Sequence, residues 1–165
     1  MLDDAWDTLK ILAGENTRES VSQSDAPEMA DRLEWVFVDE ARSALVDASV
    51  GELKQRFREW VRAEQKAGDG VPDSPRYQYF IQADCKSLAS IFNNALNQWT
   101  PDHVNLIRAW EGEDDVMKIP ATAIGAELYA ELADEGAWSA LYHSGRYDEY
   151  LEDDTDYGDE RVPGS

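Results

Sequence analysis

The side chains most able to act on a partner in this chain are carboxylates, and they are concentrated near its end. Between Asp148 and Glu160 stand Asp148, Glu149, Glu152, Asp153, Asp154 and Asp156, followed by Asp159 and Glu160. Tyr147, Tyr150 and Tyr157 are interleaved with them. A run of like charge is ordinarily a solvated tail. Tyrosines tilt the reading toward docking, because Tyr supplies contact area at low entropic cost and is favoured at interfaces.

A second acidic group precedes it. Glu127, Glu131 and then Asp134 or Glu135 recur every three to four residues after Pro120, which on a helix makes one acidic stripe with neighbours about 5–6 Å apart. Duplex DNA carries one charge per roughly 3.4 Å of each strand. A rigid row of carboxylates can therefore imitate a phosphate row, although an ordinary exposed helix face has the same composition. Glu111, Glu113, Asp114 and Asp115 form a third acidic group, in an expected loop.

Other chemistries find little support. Asp154, Asp156 and Gly158 resemble the opening of a calcium-binding loop, but glycine falls one position early and position twelve is Ser165 rather than Glu. One cysteine, Cys85, excludes an internal disulfide and any zinc site with more than one Cys ligand. Cys85 stands between Asp84 and Lys86 in no Cys–His pattern. His103 is expected in the first turn of a helix, and His143 near a helix C-terminus, where the dipole favours a cation. There is no phosphate-binding glycine loop, no His-Glu-x-x-His and no Gly-x-Ser-x-Gly. No catalytic, metal-binding or cofactor-binding residues are assigned, and an enzyme is not expected.

The net charge is −20 over 165 residues, and it is regional. Residues 1–50 hold 12 acids and 4 bases, residues 51–110 hold 7 and 8, and residues 111–165 hold 16 and 3. Such a surface repels nucleic acids and anionic membranes, since nucleic-acid affinity depends on neutralising phosphates. The acidic N-terminus is unlike a secretory signal, and no stretch approaches the roughly 18 apolar residues of a membrane span. Together with the single cysteine, this gives the expectation of a cytoplasmic protein.

The elements expected to position these groups are helices. Hydrophobic residues form 42% of the chain and aromatics 10%, enough for a core. Leu2, Trp6, Leu9 and Leu12 make one helical stripe. Polar Gly14–Asp25 reads as a loop or mobile linker. Asp25 and Pro27 open a helix expected to reach Ala48, with Trp35 just off its apolar stripe and so a candidate contact aromatic. Ser49 and Glu52 form a capping box for a helix to Ala67. That helix bears Lys54, Arg56, Arg58, Arg62 and Lys66, a basic face suited to pairing with acidic segments of this chain or of a second copy.

Ser74-Pro75 begins a further helix through Trp99, although Tyr77–Gln82 alternates in a way that also suits a strand. Thr100-Pro101-Asp102 opens a helix with Val104, Ile107 and Trp110 facing inward. Val116–Ile119 is short and compatible with β-structure. Pro120 restarts helix through Ile124, Leu128 and Leu132, and Gly136 and Gly145 bracket a last short helix. The expectation is a mainly α protein: a single compact domain of six or seven helices over residues 1–151 and an acidic, disordered tail over 152–165.

The function expected is that of an acidic inhibitor docking on a basic protein surface. The nucleic-acid-binding groove of a host defence protein or nuclease fits, as for a DNA-mimicking anti-restriction or anti-CRISPR protein of phage type or a nuclease immunity protein. A homodimer is compatible with the basic helix. The alternative is a salt-adapted protein whose acidity serves its solvent, for which Arg outnumbering Lys ten to five is suggestive.

Overall fold

The computed structural model describes residues 2–28, 33, 35–38, 48–67, 74–97, 101–110 and 115–147. Helices predominate among them, but a three-stranded antiparallel sheet lies at the centre. The protein is mainly α as expected, and the sheet is an addition to the helical domain expected.

Helix α1, Leu2–Ser22, buries Ala5, Leu9, Ala13, Thr17 and Val21, every fourth residue along one face. It continues through most of the stretch expected to be a loop. The polar residues there are compatible with helix because their hydroxyls bond back to the preceding turn: Thr17 Oγ1 donates to the Ala13 carbonyl and Ser20 Oγ to that of Asn16, each at 2.8 Å. Asn16 Nδ2 reaches the Thr122 carbonyl at 3.0 Å and ties the helix to a distant segment. The helix expected over 27–48 is not present at Leu33 or at 35–38, which are neither helix nor strand.

Helix α2, Val50–Ala67, begins with the expected capping box. The Ser49 amide donates to Glu52 Oε2 at 2.7 Å, and the Glu52 amide to Ser49 Oγ at 3.3 Å. These bonds, the Ser49 amide first, hold the Glu52 carboxyl below its ordinary range.

The expected helix from Ser74 to Trp99 is three elements. A single turn, α3 (Pro75–Gln78), leads into β1 (Tyr79–Gln82), the strand alternative for that segment; α4 (Cys85–Asn97) follows. Leu96, expected on an inward face, is exposed.

The helix expected after Pro101 is β2, Val104–Arg108, the middle strand. Val104 and Ile107 fit a helical stripe by spacing alone. The run Val-Asn-Leu-Ile is also a buried central strand, and pairing on both edges decides for the strand. His103 therefore precedes a strand instead of lying in a helix. Strand β3 is Val116–Ile119. The helix expected from Pro120 to Leu132 is a 3-10 turn, Ala121–Ala123, then α5, Ala126–Glu131. Helix α6, Ala137–His143, follows Gly136 at φ 84°, and Gly145 at φ 63° comes after it, both backbone conformations that glycine adopts without strain.

Register divides the sheet into two faces. Tyr79 pairs with Arg108, and Ile81, Leu106 and Met117 form one cross-strand row with Val104 and Ile119 beside it. This face meets Leu9, Ile91, Ile124, Leu128, Trp138 and Leu141 from the helices in one core. The opposite face carries Phe80, Ile107 and Val116 in one row and Gln82, Asn105 and Lys118 in the next. Helix α2 lies there: Phe57 stacks on Phe80 at 5.0 Å, and Arg58 Nε donates to the Ala109 carbonyl at 2.7 Å. Val61 of α2 and Ile107 of β2 are both fully buried.

Candidate functional site

Helix α5 is only Ala126–Glu131, so the acidic stripe is shorter than its spacing suggests. Glu127 and Glu131 share the helix, while Asp134 and Glu135 lie in the turn leading to α6. Glu127, Asp134 and Glu135 are exposed and carry no cationic partner among the described residues. Glu131 differs. Its two oxygens accept from Arg146 Nη1 at 2.8 and 3.1 Å, which neutralises one charge of the row. Three carboxylates remain exposed, Glu127 in the first turn of α5 and Asp134 and Glu135 in the turn after it, and Tyr129 and Tyr142 are exposed as well.

The other candidates fall differently. Asp115 is buried, and its Oδ1 accepts from Arg108 Nη2 at 2.9 Å while Arg108 lies 5.3 Å over the Trp138 ring. Its backbone carbonyl and its side chain both accept from Arg108, joining the start of β3 to β2. Tyr147 is half-buried, packed against the core with Arg146 over its ring. Glu111, Glu113 and Asp114, and the run Asp148, Glu149, Tyr150, Glu152, Asp153, Asp154 and Asp156, lie outside the described residues, as does the expected tail over 152–165.

Trp35, expected as a contact aromatic, packs against the core instead, and its indole N–H donates to Thr17 Oγ1 at 2.9 Å. Trp110 is the more exposed indole, at 38%. Its N–H donates to the Tyr77 carbonyl at 2.6 Å, and Arg58 lies 5.7 Å from its ring. Lys54 of the basic helix is buried on the stripe that also carries Phe57 and Val61, while Arg56, Arg62 and Lys66 are exposed.

The densest polar cluster was not legible as a site in the sequence. It lies where β1 ends and β2 begins. Asp84 caps α4: Oδ1 accepts from the Ser87 amide at 2.8 Å and Oδ2 from Asn105 Nδ2 at 3.1 Å. Asn105 also donates to Gln82 Oε1 at 3.3 Å, and Ser90 Oγ accepts from the His103 amide at 3.1 Å. Partial burial opposes the charge on Asp84, but the bonds from Ser87 and Asn105 and the nearby His103 outweigh it and hold the carboxyl below its ordinary range. Asp102 is more buried. Burial pushes its carboxyl up, against the Ala121 amide at 3.3 Å and His103. The signal available in the sequence was Asp84 three residues before Ser87, an N-cap spacing.

Both oxygens of Asp84 are engaged in joining strand to helix, so this cluster acts as a staple. Cys85 is exposed at the first position of α4, and His143 sits at the C-terminal end of α6 as expected, edge-on to Tyr142. Among the described residues no group of three His, Cys, Asp or Glu side chains could hold a metal ion. None of the described helices is long and apolar enough to cross a membrane. Comparison of the chain with protein-family models, curated proteins and solved structures gave no match.

Proposed function

We propose that this protein is an acidic antagonist that docks on a basic protein surface, of the kind that grips nucleic acid, and competes with that nucleic acid. The regional charge carries the reading: 16 acids against 3 bases over residues 111–165, beside a middle third with 7 against 8. The exposed carboxylates Glu127, Asp134 and Glu135 support it, because their charge is not spent within the described fold. Such a surface steers encounter with a cationic groove and excludes like-charged competitors.

The test is capture from a host lysate by the intact chain and by a Glu127→Gln/Asp134→Asn/Glu135→Gln variant, followed by a nucleic-acid-binding assay on the captured protein. The expected partner loses nucleic acid competitively, and binds the variant more weakly. Raising salt from about 0.1 M to 1 M, which shortens the Debye length from about 10 to 3 Å, releases it. A partner that holds nucleic acid and this protein together would sink the reading.

A second reading, adaptation to a salt-rich solvent, is favoured by one structural observation. Exposed acids also line α1, at Asp3, Asp4, Asp7, Glu15 and Glu19, far in sequence from the acidic end. A thermal melt across ionic strength separates the two. Folding that is stable only above molar salt supports solvent adaptation and removes the antagonist reading.

A further inference from the structure

In a molecule of net charge −20, cations and aromatics gather at one place: the second half of α2 and the strand ends beneath it. Arg58 lies over Trp110, and Arg76 lies 5.6 Å from the ring of Trp60. Arg62, Lys66 and Arg76 are exposed and have no carboxylate partner among the described residues. Of the helix's three acids, Glu52 serves the N-terminal cap, Glu59 accepts from Gln55 at 3.1 Å, and Glu64 is exposed with no cationic partner among the described residues. Arg58 over the exposed Trp110 indole, Arg76 over Trp60, and the unpaired Arg62 and Lys66 farther along α2 suit a ligand that is both anionic and aromatic, since Arg binds carboxylates in a fork and stacks on rings.

The chain itself carries one such ligand. Residues 148–160, outside the described residues, hold eight acids, no base, and the tyrosines Tyr150 and Tyr157. They begin immediately after Tyr147, the last residue described. Thirteen residues reach at most about 45 Å, against a radius of gyration of about 15 Å for a domain of this length. An acidic segment of another protein would have to approach through a repulsive field. The chain's own segment is tethered, at an effective concentration on the order of millimolar.

We propose that the cationic–aromatic face formed by Arg58, Arg62, Lys66, Arg76, Trp60 and Trp110 is the docking surface for residues 148–160 of the same molecule. A basic partner and α2 then compete for one acidic segment, so the segment is masked until a stronger cation surface arrives. The proposal stands independently of whether such a partner exists.

The test uses the full chain, labelled with ¹⁵N, and follows the amide signals of residues 148–160 and the indole signals of Trp60 and Trp110. Arg62→Glu/Lys66→Glu should shift the amides of 148–160, and Asp153→Asn/Asp154→Asn/Asp156→Asn should shift the two indoles. High salt should move both sets in the same direction as the variants. The buried Trp138 indole should stay in place and report that the fold is intact. Shifts that persist unchanged on serial dilution support docking within one molecule, and shifts that vanish on dilution overturn it in favour of a second copy. Tail amides indifferent to Arg62→Glu/Lys66→Glu, with Trp138 unmoved, overturn the proposal, as do indoles indifferent to the neutralised tail.

Discussion

The two faces of the sheet are held in different ways. On one, Leu106 and its neighbours Val104, Met117 and Ile119 close an apolar core against four helices, with Arg108, paired to Asp115, over the ring of Trp138. On the other, a single helix, α2, is joined by one ring stack, one arginine-to-carbonyl bond and cation–aromatic contacts. The first face is non-directional burial, which any large truncation weakens. The second adds directional contacts to the burial of Val61 and Ile107, so a change of one functional group removes a defined share of it. Charged residues serve structure on both faces, Arg58 on the α2 side and Arg108 with the buried Asp115 on the core side, whereas Glu127, Asp134 and Glu135 stay at the surface.

Truncation should show this contrast most strongly. Leu106→Ala is expected to cost about 3–4 kcal/mol in denaturant unfolding, the range for a fully buried leucine. A loss near 1 kcal/mol would mean that the core face is not the principal support. On the second face, Arg58→Ala should cost about 1–2 kcal/mol, combining the bond to Ala109 and the Trp110 contact. Arg58→Lys should recover only part of it, since an ammonium lacks the fork. Full recovery would reduce the role of Arg58 to simple charge.

The polar end, where the faces meet, is best compared by pH. Asp84 has a lowered carboxyl, so its contribution is complete above the unfolded-state value of about 3.9 and is lost as pH falls through the lower native value. Asp102 is raised, so its contribution is present only below about 3.9 and is lost as pH rises through the higher native value. Asp84→Asn should therefore reduce stability at neutral pH by about 1 kcal/mol for a weakened cap, with a lower melting temperature, and make the acid limb shallower. Asp102→Asn should raise the neutral-pH melting temperature slightly and make the acid limb steeper. Matching responses from the two variants would refute the assignment. The smallest effect belongs to the periphery: Glu131→Gln should change stability by no more than about 0.5 kcal/mol, because its pair with Arg146 is exposed.

Much of this was legible from the chain, and the limits are physical. The Ser49–Glu52 box, the last helix between its glycines and the inward places of Leu9 and Leu128 were all readable, because capping and 3.6-residue periodicity are local. The acid-bearing positions after Pro120 were readable as a group, but not as a row. Their helix stops at Glu131, and the guanidinium that neutralises one of them arrives from fifteen residues away. Trp35 and Asp115 looked available for a partner because nothing in their neighbourhood announces Thr17 or Arg108.

The sequence by itself determined the charge and its regional placement, the absence of a disulfide, the helical majority and several helix starts, since these follow from composition and from contacts within one turn. Tertiary structure alone decided that Val104–Arg108 is a central strand, that Gly14–Ser22 continues a helix, and which acids remain unpaired at the surface. Each of those outcomes turns on a partner distant in sequence. Strand pairing, a hydrogen bond across the fold or a cation from another element outweighs local preferences that differ by only about 1 kcal/mol per residue.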